Sequence, residues 1–168
     1  LIRMLSGVEK PDEGHIAGLN ALSPEPRGFR RRTRLAINFC QPQAAVVGRR
    51  HAALKDEDVV TGRVDFARQG RARVAQSAAG RMHVYAERST GKLLGAELCA
   101  PAGEHMAHVL ALAIGQELTV QELLGMPFYH PVLEEGLRTA LRDAASHLPR
   151  ISDSDLAACG AFGASALD

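Results

Sequence analysis

The segment PFYHPVLEEGLRTALRDA, residues 127–144, places one imidazole close to two carboxylates. His130 precedes Pro131, and Glu134 and Glu135 follow within five residues of the histidine. An imidazole titrates near neutral pH and can therefore take up and release a proton, while a carboxylate bonded to one ring nitrogen fixes its tautomer. The group could thus perform general acid–base chemistry. The same residues also have the ordinary pattern of a helix start, with Pro in the first turn and acids near the positive end of the helix dipole.

The other cysteines and histidines have no spacing that is typical of a metal site or a disulfide framework. Cys40, Cys99 and Cys159 are far apart in the sequence, and His105 and His108 have no third ligand nearby. We therefore expect no bound metal and no structural disulfide. Reduced cysteines favour a cytoplasmic location.

Composition and charge indicate a globular domain without an obvious electrostatic partner. The 168 residues include 46% hydrophobic and 23% charged residues, and 20 basic against 19 acidic residues leave a formal net charge of +1. The arginine-rich residues 27–34 lack an aromatic stacking platform. We expect no nucleic-acid partner, and since no apolar run approaches the length of a membrane span, no membrane partner.

Apolar periodicity predicts strands first and helices afterwards. Alternation between residues 35 and 66 predicts several strands, and residues 81–100 predict a hairpin with STGK as its turn. The expected buried face of this hairpin consists of Met82, Val84, Ala86, Leu94, Ala96 and Leu98.

The period changes to 3.6 from Gly103 onward, which predicts helices. We expect a helix from about Gly103, a short helix capped by Thr119 and Glu122, and a final helix opened by Pro131. The predicted fold is therefore α+β, with an antiparallel sheet of about four or five strands packed against two or three helices.

Three strings, read in order, resemble one protein family. They are FCQPQAAVVG (residues 39–48), GRMHVYAERSTGKLLGAELCAPAGEHMAHVLALAI (residues 80–114) and FYHPVLEE (residues 128–135). Together they resemble the C-terminal dimerisation domain of the pyridine nucleotide-disulfide oxidoreductases, with dihydrolipoamide dehydrogenase the most similar type. The matching positions are Pro42, Gly48, Gly95, Ala96, Gly103, Glu104, His130, Pro131 and Glu135.

The resemblance implies a role for the first motif. In that family the residue matching His130 is the acid/base of thiol–disulfide chemistry, and the residue matching Glu135 orients it. It further implies a homodimer in which this pair reaches the partner subunit's redox disulfide, and a cis peptide bond before Pro131. The implied cofactors of the full-length parent are FAD and NAD(P).

The chain also departs from the family pattern. Cys40 and Gln43 stand where the family usually has Thr and Glu, and no GxGxxG or pair of redox cysteines is present. We therefore expect this chain by itself to bind neither cofactor and to be catalytically inactive, with the FAD and NAD domains of the parent as its partners.

The predicted organisation has three parts. Residues 1–34 are a remnant helix of the preceding flavin-binding domain with an Arg-rich linker, residues 35–148 the dimerisation domain, and residues 149–168 an Ala/Ser/Gly-rich tail. Because the chain starts at Leu1 without Met, we expect a fragment or a truncated reading frame. Two alternatives stay open: a stand-alone dimerisation module without a catalytic role, and another reductase of the superfamily, such as mercuric or glutathione reductase.

Overall fold

The computed structural model describes residues 32–149. The predicted N-terminal helix, most of the Arg-rich segment, Cys159 and residues 150–168 of the predicted tail lie outside the described residues. The described residues form a five-stranded antiparallel sheet with helices, which confirms the predicted α+β fold.

The sheet combines two groups of consecutive strands, a pair followed in the chain by a group of three. Its strands are β1 (Leu35–Asn38), β2 (Gln43–Gly48), β3 (Val59–Asp65), β4 (Arg81–Glu87) and β5 (Leu93–Ala100). Their order is β1-β2-β5-β4-β3, and all neighbouring strands are antiparallel. Single 3₁₀ turns follow β2 at His51–Ala53 and β3 at Phe66–Arg68.

The helices complete the core. They are α1 (Gly70–Val74), α2 (Gly103–Gly115), α3 (Val120–Leu124) and α4 (Glu135–Ser146). Helix α2 packs on β2 and β5, and α4 packs on β3 and β4, so apolar side chains of both helices join one core with the sheet. No helix among residues 32–149 has the length and apolar character needed to cross a membrane.

A glycine in β3 allows α4 to lie directly on the sheet. A Cβ atom at Gly62 would be 2.1 Å from the carbonyl oxygen of Ala140, far inside van der Waals contact. The absence of a side chain at this position therefore sets the distance between β3 and α4. Glu135 is the first residue of this helix, five positions before Ala140.

The hairpin β4–β5 forms as predicted, but an irregularity changes which leucine is buried. The pairing shifts between Tyr85 and Ala86, so that Ala86 pairs with Leu93 and Tyr85 with Gly95. Leu93 is consequently buried, whereas Leu94, which we expected on the buried face, is half-buried. A bulge adds one residue to a strand and reverses the alternation beyond it.

The start of α4 differs from the prediction as well. The regular helix begins at Glu135, and Pro131 lies in a preceding turn rather than in the first helical turn. This turn is held by hydrogen bonds that precede the helix: Gly136 N–H donates to the Leu133 carbonyl (2.9 Å), and Val132 N–H donates to Glu135 Oε2 (3.2 Å). The expected capping box of α3 is confirmed, with Thr119 and Glu122 bonding each other's backbone N–H groups.

Candidate functional site

His130 and Glu135 form a hydrogen-bonded pair at the N-terminus of α4. His130 Nδ1 lies 2.9 Å from Glu135 Oε1. The imidazole is 81% exposed, whereas the Glu135 side chain is only 24% exposed. A carboxylate supported by the protein thus holds a ring that projects into solvent.

The ionisation state of Glu135 determines which nitrogen of the His130 ring carries the proton. The hydrogen bond from His130, the Val132 N–H and the nearby charges of His130 and Arg138 lower the pKa of Glu135, against a smaller opposing effect of burial. The carboxylate is therefore ionised at neutral pH and can only accept, so Nδ1 must be the donor. In the neutral ring Nε2 is then unprotonated, and within residues 32–149 it has no hydrogen-bond partner.

The neighbouring acid does not share this geometry. Glu134 occupies the N-cap position of α4 but makes no side-chain hydrogen bond there. Of the two glutamates in the motif, the structure therefore places Glu135 beside His130, at the position that the resemblance implied. The peptide bond between His130 and Pro131 is cis, which is also what the resemblance implied.

One side chain beside the pair escaped the sequence analysis. Gln69, just before α1, is buried, and its amide Nε2 donates to the Val132 carbonyl at 2.7 Å. The sequence does contain a weak signal, since an amide side chain directly before a helix is a common N-cap. Nothing in the sequence indicates that the same amide reaches a residue 63 positions away.

The start of α2 does not form a cradle for a dinucleotide. Strand β5 leads into the long helix α2 through Pro101 and Ala102, without a Gly-rich turn. The N–H group of Glu104 at this helix start is already bound by Gln43 Oε1 at 2.9 Å. A pyrophosphate needs free N–H groups at such a position, so FAD or NAD(P) does not fit here. Among residues 32–149, His, Cys, Asp and Glu also form no group of three or more that could hold a metal ion.

Comparison with known proteins identifies the family. The family model of the pyridine nucleotide-disulphide oxidoreductase dimerisation domain matches residues 36–141. The chain belongs to this family. The resemblance inferred from the sequence is thereby confirmed, and the matched segment contains both His130 and Glu135.

Relatives of this dimerisation domain include dihydrolipoyl dehydrogenases. The chain is 31% identical over 131 residues to that of Rhizobium etli, which covers 77% of this chain and 26% of the relative. It is 27% identical over 107 residues to the human mitochondrial dihydrolipoyl dehydrogenase, which covers 62% of this chain and 21% of the relative. The dimerisation domain therefore spans about a quarter of the length of the curated relatives that it matches.

Two solved structures with the same fold are much longer chains, of which this chain covers little more than a quarter. LpdA from Mycobacterium tuberculosis superposes with a TM-score of 0.66 at 26% identity, covering 76% of this chain and 28% of that one. The HOCl-induced flavoprotein disulfide reductase RclA from Escherichia coli gives a TM-score of 0.66 at 22% identity, covering 73% of this chain and 29% of that one. The second likeness concerns the fold alone.

Proposed function

We propose that this domain dimerises a disulfide oxidoreductase of the dihydrolipoamide dehydrogenase type and supplies His130 and Glu135 to the redox disulfide of the partner subunit. FAD and NAD(P) would be bound by other domains of the parent protein, since the start of α2 has no Gly-rich turn and its Glu104 N–H is already bound by Gln43. The observation that carries the proposal is the preformed pair, with a 2.9 Å bond between Nδ1 and Oε1 and an imidazole that is 81% exposed.

Thiol–disulfide exchange requires both proton transfers that such a pair can perform. Nε2 of His130 removes the proton of a substrate thiol, and the resulting thiolate attacks one sulfur of the disulfide. A new S–S bond forms, the old one breaks, and the leaving sulfur departs as a thiolate. The imidazolium then returns its proton to a thiolate, so the histidine ends the exchange unchanged.

Glu135 contributes to this cycle in two ways: it orients the imidazole ring, and its negative charge stabilises the protonated ring. While it accepts from Nδ1, the ring cannot turn its unprotonated nitrogen inward, so Nε2 continues to face outward. The carboxylate also stabilises the imidazolium that exists between the two proton transfers. An exposed base is appropriate when its target disulfide belongs to another subunit.

Mixed dimers test whether His130 acts on the partner. One subunit of the full-length protein carries His130→Gln, the other lacks a redox cysteine, and each bears a different affinity tag. If the histidine serves the partner subunit, one of the two sites in the mixed dimer is intact, and about half the activity per dimer returns. Both parental homodimers should be inactive.

A mixed dimer without activity would contradict the proposal, because a histidine that acts within its own subunit leaves both sites incomplete. The coding sequence that surrounds this chain provides an earlier check. A protein without nucleotide-binding domains and redox cysteines would instead support the stand-alone dimerisation module.

A further inference from the structure

Gln69 is the one residue with an amide or charged side chain that is buried among residues 32–149, with 8% exposure. Both ends of its amide are bonded: Oε1 accepts from Ala72 N–H at 2.6 Å, and Nε2 donates to the Val132 carbonyl at 2.7 Å. The partners assign the amide orientation, since an N–H must face the oxygen and a carbonyl must face the nitrogen. A buried amide with both ends satisfied has a single favourable orientation.

The bond to Val132 continues into the candidate site. Gln69 holds the carbonyl of Val132, and the N–H of Val132 donates to Glu135 Oε2 at 3.2 Å. The second oxygen of this carboxylate, Oε1, lies 2.9 Å from His130 Nδ1. Three consecutive hydrogen bonds therefore connect a buried amide to an exposed imidazole.

Packing supports the same connection. Phe66, three residues before Gln69, lies against the first turn of α4, where a Cβ at Gly136 would be 2.5 Å from its ring. The segment from Phe66 to Gln69 thus contacts the helix start through both an aromatic ring and an amide. On the N-terminal side of Val132, His130 and Pro131 are both exposed, so this side of the turn is not anchored by burial.

We propose that Gln69 is a positioning residue for the His130–Glu135 pair. By fixing the carbonyl of Val132, it directs the N–H of the same residue at Glu135, and so determines which carboxylate oxygen is free to accept from the imidazole. The proposal rests on the proposed function for its catalytic consequence, but the geometry that it describes can be measured without any activity.

Nitrogen-15 NMR of the imidazole in the 168-residue chain measures that geometry. With Gln69 present, the neutral ring of His130 should carry its proton mainly on Nδ1. Gln69→Met keeps the length of the side chain and removes both hydrogen bonds, so the share of the Nε2–H tautomer should rise about twofold or more. Glu135→Gln should shift the ring in the same direction. Gln121→Met is the matched control, because Gln121 is a half-buried amide in α3 with no link to the site, and it should leave the tautomer unchanged.

A second variant covers the case in which Gln69→Met does not fold. Gln69→Glu retains the acceptor for Ala72 N–H and replaces only the donor that faces Val132. It should shift the tautomer in the same direction. An unchanged tautomer in either folded variant would overturn the positioning role.

Kinetics of the full-length enzyme separate this inference from the proposed function. Gln69→Met should lower kcat about tenfold and leave KM for the nicotinamide cofactor unchanged, since only the orientation of the base is affected. If the tautomer shifts as expected but His130→Gln has normal turnover, the positioning role stands and the proposed function fails. If His130→Gln is inactive but Gln69→Met alters neither tautomer nor kcat, the proposed function stands and the role of Gln69 is wrong.

Discussion

Two adjacent glutamates differ in what their side chains contact, and this difference is testable. Glu135 bonds His130, whereas Glu134 at the N-cap of α4 makes no side-chain hydrogen bond there. In the full-length enzyme, Glu135→Gln should lower kcat about tenfold or more, since a neutral amide no longer stabilises the imidazolium. Glu134→Gln is the matched control and should retain normal turnover. Equal losses in steady-state kinetics from both variants would contradict the assigned pair.

The same carboxylate should make stability depend on pH. The hydrogen bond from His130 lowers the pKa of Glu135 in the folded chain. A carboxyl group whose pKa is lower in the folded than in the unfolded state stabilises the fold above its unfolded pKa, and this contribution is lost as the pH falls through the folded value. In urea unfolding, Glu135→Gln should therefore cost free energy at pH 7, and the difference from wild type should shrink below about pH 4. A difference that is independent of pH would contradict this account.

The start of α4 depends on close packing between two elements. The ring of Phe66 occupies the space that a side chain at Gly136 would need, since a Cβ there would lie only 2.5 Å from Cε1 of Phe66. Gly136→Ala should therefore destabilise the fold by about 1 to 3 kcal/mol in urea unfolding, because the ring or the helix must move.

Two further variants test the cause of this loss. Gly70→Ala is the control, because no heavy atom lies within 4 Å of a Cβ at this position. A second change, Phe66→Leu, should cost less in the Gly136→Ala background than in the wild type, since the smaller side chain relieves the clash. Additive losses would show that the two residues do not interact in this way.

Dimerisation involves the surface of the whole molecule. If this domain dimerises as proposed, we expect an apolar contact close to His130. Tyr129 is 80% exposed and directly precedes the histidine that we propose reaches the partner subunit. If the pair acts across a two-fold interface, Tyr129 must lie in or near that interface. In sedimentation equilibrium the chain should self-associate, and Tyr129→Ser should weaken the association about tenfold.

Phe39 provides the comparison for this prediction. It is 72% exposed in the turn between β1 and β2, at the opposite edge of the sheet from β3. Phe39→Ser should have the smaller effect on self-association. An equal effect from both variants would indicate general apolar contact, and a monomeric chain at high micromolar concentration would contradict dimerisation through this domain.

A departure from the family pattern is explained by the structure. Gln43 stands where the family usually has Glu, and its Oε1 accepts from Glu104 N–H at the start of α2. An amide oxygen accepts a hydrogen bond as a carboxylate oxygen does, so Gln43 has the acceptor that this contact between β2 and α2 needs. The sequence alone shows the replacement but not the contact, because the two residues are 61 positions apart.

The sequence by itself determined the types of the elements and, through three short strings read in order, the family. Alternation and the 3.6-residue period are local properties, and the capping box of Thr119 and Glu122 spans only four residues. His130 and Glu135 lie five positions apart, and the family resemblance, not this spacing, selected Glu135 rather than Glu134.

Only the tertiary structure decided features that depend on distant residues. It buried Leu93 in place of Leu94 and connected Gln69 to Val132. Each depends on how one element meets another: a bulge against a neighbouring strand, an amide against a turn. Periodicity describes one element at a time, whereas these contacts arise only when the chain has brought separate elements into van der Waals and hydrogen-bond distance.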